Sequence, residues 1–156
     1  MTNDFFHGYA LNAVDAKNRL SIPASYREVI ERRGDGRALI VSPHERAPCL
    51  IAYDRGRSIR LQTQLEARFD NQYDDARDSF ARLSFGASEQ IPYDDNGRII
   101  VSAMMRDFGE IDRFAFFLAA GDFFEIWNPQ TLIEHPSTDA RVAKLVKRQL
   151  DAKGAA

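Results

Sequence analysis

Residues 15–28 read Asp-Ala-Lys-Asn-Arg-Leu-Ser-Ile-Pro-Ala-Ser-Tyr-Arg-Glu: a charged turn, a short apolar strand, a break and the start of a helix. The stretch returns 79 positions later, at 94–107, as Asp-Asp-Asn-Gly-Arg-Ile-Ile-Val-Ser-Ala-Met-Met-Arg-Asp, with no gap inside it. Asp15 aligns with Asp94, Arg19 with Arg98, Leu20 with Ile99, Ile22 with Val101, Ala24 with Ala103 and Arg27 with Arg106. Two apolar segments follow each copy, 38–41 and 49–53 after the first, 114–118 and 123–127 after the second. Pairing Tyr53 with Trp127 shortens the offset to 74, because the first copy has the longer loop, 42–48. Two copies are too few for a solenoid, which needs about three or more. The reading is two fused half-domains, each covering the apolar face of the other.

At 156 residues the chain is one compact domain or two very small ones sharing a core. Hydrophobic content of 44% and charged content of 28% are those of an ordinary globular protein. No apolar run approaches the ~20 residues that span a bilayer, and the first residues carry no basic and apolar leader pattern. Cys49 is the single cysteine, placed in an apolar strand, which points to a buried, inert thiol. These features predict a cytoplasmic protein. The formal net charge of −2 runs against the usual basic balance of a nucleic-acid binder, although assembly can gather a local basic face.

Residues 5–14 are expected as a strand leading into the turn at 16–18. Asn18 is among the few non-glycine types that accept positive φ, and Gly97 holds the matching place, so both turns are expected to use a left-handed residue before the arginine. Residues 19–22 and 98–101 follow as short strands. Pro23 and Ser102 open helices; Tyr26, Val29, Ile30 and Arg33 continue the first at helical spacing over 24–33, and 34–36 ends it. Between the copies, Ile59, Leu61, Leu65 and Phe69 predict one amphipathic helix. Tyr73, Ala76, Phe80 and Leu83 predict a second after a break at 71–72. The tail predicts a short helical turn at 129–135 and a basic amphipathic helix at 138–150, docked through Val142, Leu145, Val146 and Leu150, with 151–156 frayed.

His7, His44 and His135 are scattered and no Cys or His pair has zinc spacing, so no metal or other cofactor is expected. Neither a nucleophile elbow nor a phosphate-binding glycine loop is present. The adjacent acids Asp74-Asp75 and Asp94-Asp95 point in different directions on a helix or a strand and read as solvated surface. The duplicated Asp-x-x-x-Arg turns remain. Each Asp can accept a backbone N–H of its own turn and pair with the Arg four residues on. Fold upkeep accounts for the repeated apolar positions better than for an exposed Arg in the same place twice. A guanidinium on a rigid hairpin can read guanine edges or grip phosphates, with the Asp fixing its direction. Lys17 adds a cation to the first turn and the second has Asp95 in its place, so the first hairpin is expected to bind more strongly.

These residues resemble the MraZ family, a division of the AbrB/SpoVT-like DNA-binding proteins. The family's stretch Asp-x-Lys-Gly-Arg-apolar-x-Ile-Pro-x-x-aromatic-Arg has its counterpart from Asp15 to Arg27, and a weaker second copy closes on the strand ending at Trp127. The resemblance spans about residues 5–135. Asn18 stands where the family usually has Gly, and Ser102 where a Pro is common. The resemblance implies a mainly β, α+β fold with capping helices: a double-split β-barrel of two swapped-hairpin repeats. The expected layout is 5–54 for the first repeat, 55–82 for a helical inter-repeat segment, 83–128 for the second repeat and 129–156 for a helical tail. It further implies a ring-like homo-oligomer that binds double-stranded DNA at short promoter direct repeats. Such a protein regulates, often by repression, its own operon of division and cell-wall genes.

The resulting expectation is a nucleoid-associated transcriptional regulator, not an enzyme, with no membrane partner and no small-molecule substrate. Its DNA-binding set is Asp15, Lys17, Asn18 and Arg19 with Asp94 and Arg98. Arg27 and Arg106, on the helix starts, are expected to pair with neighbouring acids. The competing expectations are an antitoxin-like interaction module of the same fold, which needs a partner-wrapping tail, and an enzyme built on Asp74 and Asp75.

Overall fold

The computed structural model describes residues 4–34, 36–70 and 72–154. Asp35, expected in the end of the first helix, Asn71, expected in the inter-repeat break, and Ala155 and Ala156 of the tail lie outside them. The elements run β1 (Tyr9–Ala13), β2 (Arg19–Ser21), α1 (Ala24–Arg33), β3 (Ala38–Pro43), β4 (Leu50–Tyr53), α2 (Arg55–Arg68) and α3 (Asp75–Ala81). A π-helical turn, Arg82–Gly86, extends α3. Then follow β5 (Glu89–Pro92), β6 (Arg98–Ile100), α4 (Ala103–Phe108), β7 (Phe114–Ala119), β8 (Phe124–Trp127), α5 (Pro129–Glu134) and α6 (Ala140–Ala152). The fold is α+β, as expected, but not mainly β: more of the described residues lie in helices than in strands. Among the described residues no helix is long and apolar enough to cross a membrane.

Six strands form one open antiparallel sheet in the order β1-β7-β8-β4-β3-β5, with β1 and β5 at its edges. The order is symmetric about the β8–β4 seam. The first copy's leading strand, β1, pairs with β7 of the second copy, and β5 of the second pairs with β3 of the first. Each half thus lends its leading strand to the other. The remaining strands, β2 and β6, pair only with each other as a two-stranded ribbon.

The registers carry the same symmetry. In the ribbon Leu20 faces Ile99, its own equivalent, while Arg19 faces Ile100 and Ser21 faces Arg98. At the sheet seam Ile51 faces Glu125, its equivalent under the shorter offset, flanked by Leu50 opposite Ile126 and Ala52 opposite Phe124. A pseudo-twofold axis therefore runs through the middle of both pairings. Backbone bonds across the copies obey it: Ile22 N–H donates to Gly97 O at 2.8 Å, and Val101 N–H to Asn18 O at 3.0 Å.

Alternation sends Leu20 and Ile99 inward, where burial of each side chain stabilises the fold by about 1.5–3 kcal/mol. They join α1, α4 and one face of the sheet in a single core that includes Tyr26, Ile30, Leu39, Phe117, Phe124 and Ile126. Tyr26 donates its hydroxyl to Gly8 O at 2.7 Å, which satisfies the one polar atom of its ring deep in that core. The opposite face of β1, β7 and β8 carries Leu11, Phe116 and Trp127 and is covered by Leu132 of α5 and by Val146 and Leu150 of α6. The tail helix is docked, as its apolar stripe predicts. Cys49 is buried in the same cluster, and burial pushes its thiol pKa far up.

The inter-repeat segment is helical but faces differently from the expected stripes. Leu61 and Leu65 are buried while Ile59 is 76% exposed. A residue two positions from Leu61 sits on the far side of a 3.6-residue turn, and Arg57 takes the inward place instead. Tyr73 precedes α3 and is 78% exposed, its ring lying 4.2 Å from the Arg77 guanidinium. Asp74 caps α3 by accepting the Arg77 N–H at 2.9 Å, so this acid has a structural task. At the base of the segment one carboxylate, Asp122 in the β7–β8 turn, holds Arg33 of α1, Arg57 at 3.0 Å and Arg60 at 2.9 Å. That cluster joins both copies and the helix between them.

Candidate nucleic-acid interface

Both turns fold as the same clamp. In the first, Asp15 Oδ1 accepts the Lys17 N–H at 2.9 Å and the Arg19 N–H at 2.8 Å, and Oδ2 accepts Arg19 Nε at 2.7 Å. In the second, Asp94 Oδ1 accepts the Asn96 N–H at 2.9 Å and the Arg98 N–H at 3.0 Å, and Oδ2 accepts Arg98 Nε at 3.0 Å. The turn is closed from the other side by Asn18 N–H to Asp15 O at 3.0 Å and by Gly97 N–H to Asp94 O at 2.9 Å. The left-handed residue expected before each arginine is there: Asn18 has φ 61° and Gly97 φ 75°. An aspartate is needed at the head because its short carboxylate reaches both the turn's N–H groups and the arginine. The Arg19 N–H above all, joined by the guanidinium and the Lys17 N–H, holds the Asp15 carboxyl below its usual range; the Arg98 N–H, the Arg98 guanidinium and the Asn96 N–H do the same for Asp94. Both are therefore ionised at neutral pH.

Clamping through Nε, with Arg98 Nη2 also 3.0 Å from Asp94 Oδ2, fixes each guanidinium's direction and leaves most of its five N–H donors for another acceptor. The arginine side chains are 31% and 30% exposed in the two hairpins, so the copies present them almost equally. In an antiparallel pair, directly opposed residues point to the same side. Since Leu20 and Ile99 point inward, Arg19, Ser21, Arg98 and Ile100 all point outward from the ribbon, with the two arginines at diagonal corners. Asp15, Asn18 and Arg19 thus share one turn, Asp94 and Arg98 the other, and the ribbon brings the two arginines to one face. Lys17 is exposed at the tip of the first turn.

Two expectations need correction. The position equivalent to Lys17 is Asn96; Asp95 stands opposite Ala16, and its carboxylate pairs with Arg37 Nη1 at 2.7 Å. The second turn thus lacks a cation more than it carries an extra naked anion. Arg27 and Arg106 do not turn to neighbouring acids. Arg27 Nε donates to Ile22 O at 3.2 Å and Arg106 Nε to Val101 O at 3.3 Å, each tying its helix to the strand before it. A carbonyl at a strand end is an orphan acceptor within reach, and the helix start aims the arginine back at it. The outward Ser21 and Ile100 were missed in sequence; strict alternation from Leu20 and Ile99 is the signal that exposes them.

The chain aligns over 141 residues, 90% of its length, with "Transcriptional regulator MraZ" of Rickettsia akari (strain Hartford) at 31% identity, covering 92% of that protein. The chain belongs to the MraZ family. The same name is carried by relatives from Rickettsia canadensis (strain McKiel), 30% identical, and Rickettsia bellii (strain OSU 85-389), 29% identical, each over the same shares of the two chains. No protein-family model matches the chain. The MraZ relationship covers nearly the whole chain, and the family is one of transcriptional regulators, not of enzymes.

Proposed function

We propose that this chain regulates transcription by binding double-stranded DNA through the outward face of the β2–β6 ribbon. The observation that carries the reading is the twice-built Asp–Arg clamp: two ionised carboxylates that aim two partly exposed arginines from one face. Arginine bidentate to guanine is the commonest specific contact in the major groove, which admits a two-stranded ribbon. In this reading Arg19 and Arg98 contact guanine, Lys17 and Asn18 support the first hairpin at the backbone, and Asp15 and Asp94 position the arginines. The DNA is a set of short direct repeats in the promoter of the chain's own operon of division and cell-wall genes, and binding represses it. Repeats 5–54 and 83–128 lend each other strands as the halves of a double-split β-barrel do. A ring-like homo-oligomer at the nucleoid would array several ribbons along one duplex, which offsets the weak grip of a chain whose net charge is −2.

The test is fluorescence anisotropy on DNA from upstream of the gene, against scrambled DNA, over a salt series. The reading expects a preference of about 1,000-fold or more, most of it lost in Arg19→Ala. No binding to either DNA at low salt sinks it. Equal loss on both DNAs in Arg19→Ala leaves the hairpin a phosphate grip and places specificity elsewhere.

A further inference from the structure

The outward face of the ribbon is symmetric in its arginines and asymmetric in everything beside them. Arg19 has Ile100 directly across the strand; Arg98 has Ser21 in the equivalent place. Directly opposed side chains in an antiparallel pair have Cβ atoms about 4.5–5.5 Å apart. Ile100 is 65% exposed, although its neighbours in the alternation, Ile99 and Val101, are buried. A large β-branched side chain is thus held in water, beside an aimed guanidinium, on the one face of the ribbon that the core does not use.

We propose that Ile100 is a specificity-determining residue, and that it packs on the 5-methyl group of a thymine next to the guanine contacted by Arg19; the inference rests on the DNA-binding reading above. The thymine methyl is the one apolar group that the base edges offer in the major groove. An arginine aimed at a guanine therefore brings its cross-strand neighbour over the adjoining base step. Where that neighbour is isoleucine, burial of the methyl against it favours thymine. Where it is Ser21, the hydroxyl can donate or accept and favours no base. The two hairpins of one chain thus read unequal sites: Arg19 a guanine flanked by thymine, Arg98 a guanine with an indifferent flank.

The experiment removes only the methyl. The promoter duplex that binds best is remade with deoxyuridine in place of thymidine, one position at a time, and affinities are measured by anisotropy for the native chain, Ile100→Ser and Ser21→Ile. The expected result is about a fourfold loss, the worth of one buried methyl, at a thymine beside the guanine whose contact Arg19→Ala removes. That loss disappears in Ile100→Ser, and a second methyl-sensitive position, beside the Arg98 guanine, appears in Ser21→Ile. Both residues are exposed, and unchanged melting temperatures confirm that the variants fold. The inference is overturned if specific, Arg19-dependent binding shows no sensitivity to uracil, or if the sensitivity persists in Ile100→Ser. It is likewise overturned if Ile100→Ser leaves the methyl effect alone and changes the molar mass by light scattering, which would make this face a contact between copies. Absence of any sequence-specific binding by the native chain instead overturns the DNA-binding reading and this inference with it.

Discussion

The two hairpins of this chain differ where charge is placed and agree where geometry is set. The first has Lys17 and Asn18 in its turn; the second has Asn96 and Gly97, with Asp95 one step earlier. Yet the carboxylate bonds, the left-handed residue and the arginine exposure match pair for pair. The comparison separates two roles that a single hairpin would confound. What both copies share is the machinery that aims an arginine. What they do not share, the cation at the tip and the residue across the strand, is free to set how strongly and how selectively each arginine acts.

The largest break of the near-symmetry is expected from removing the arginines. Losing one bidentate guanine contact costs about 1–3 kcal/mol of discrimination. Arg19→Ala should fall at the high end and Arg98→Ala at the low end, because only the first hairpin has a lysine beside it. Equal losses in anisotropy would show that Lys17 and the flanking residues do not distinguish the hairpins.

A smaller effect separates the two left-handed residues. A Cβ built on Gly97 would come within 2.4 Å of Arg27 Nε, and the φ of 75° already disfavours any side chain. Gly97→Ala should destabilise the fold by about 1–2 kcal/mol, seen as a lower midpoint in urea. Asn18→Gly should stay within about 0.5 kcal/mol of the native chain, since asparagine tolerates the conformation it holds. A neutral Gly97→Ala would mean that Arg27 moves aside freely, and that its bond to Ile22 O contributes little.

Next comes the lysine. Lys17→Ala should weaken native and scrambled DNA alike and flatten the salt dependence by about one unit of slope per ribbon engaged. Asn96→Lys should steepen it by the same amount. If Asn96→Lys leaves the slope unchanged, the second turn does not face the phosphates.

The smallest expected difference is in acid. Both Asp15 and Asp94 have folded pKa values lowered from the ordinary one. Whatever the clamps contribute is therefore in full force above the usual carboxylate range and is lost only as pH falls through the lowered values. Carboxyl NMR titrations should place both midpoints below about 3.9, with the hairpin amide signals unchanged between pH 7 and about 5. A normal midpoint for either residue would mean that its clamp is open in solution.

Much of this was legible in the residues because the chain states its message twice. The turns, the ribbon strands, α1 at Ala24–Arg33 and the paired strands that follow could be placed by lining one copy against the other. Ser102 was read as a cap from its type alone, and it accepts the Met105 N–H. The unduplicated segment was harder. Ile59 and Tyr73 fit helical stripes by hydrophobicity yet face solvent: the inner face of α2 is taken by Arg57, whose guanidinium stacks on Tyr53 and Phe123, and Tyr73 lies before the first turn of α3. The grouping of Arg33, Arg57 and Arg60 on Asp122 could not be read at all, because the sheet, not the local sequence, brings residue 122 to residues 33 and 57. The two arginines tied to backbone carbonyls were misread for a related reason: a nearby acid is visible in sequence, and an orphan carbonyl is not.

The exchange of leading strands also fixes when the molecule can be finished. β1 ends at Ala13 and its partner β7 starts at Phe114, so about a hundred residues must leave the ribosome before that edge is sealed. The Arg19 turn meets its counterpart earlier, at Arg98–Ile100, whereas the β8 side of β4 stays bare longer still, until Phe124–Trp127 follow. Slow synthesis through the α2–α3 segment would lengthen that interval, and during it the bare strand of one nascent chain offers a neighbouring chain on the same messenger the edge that belongs to its own second half.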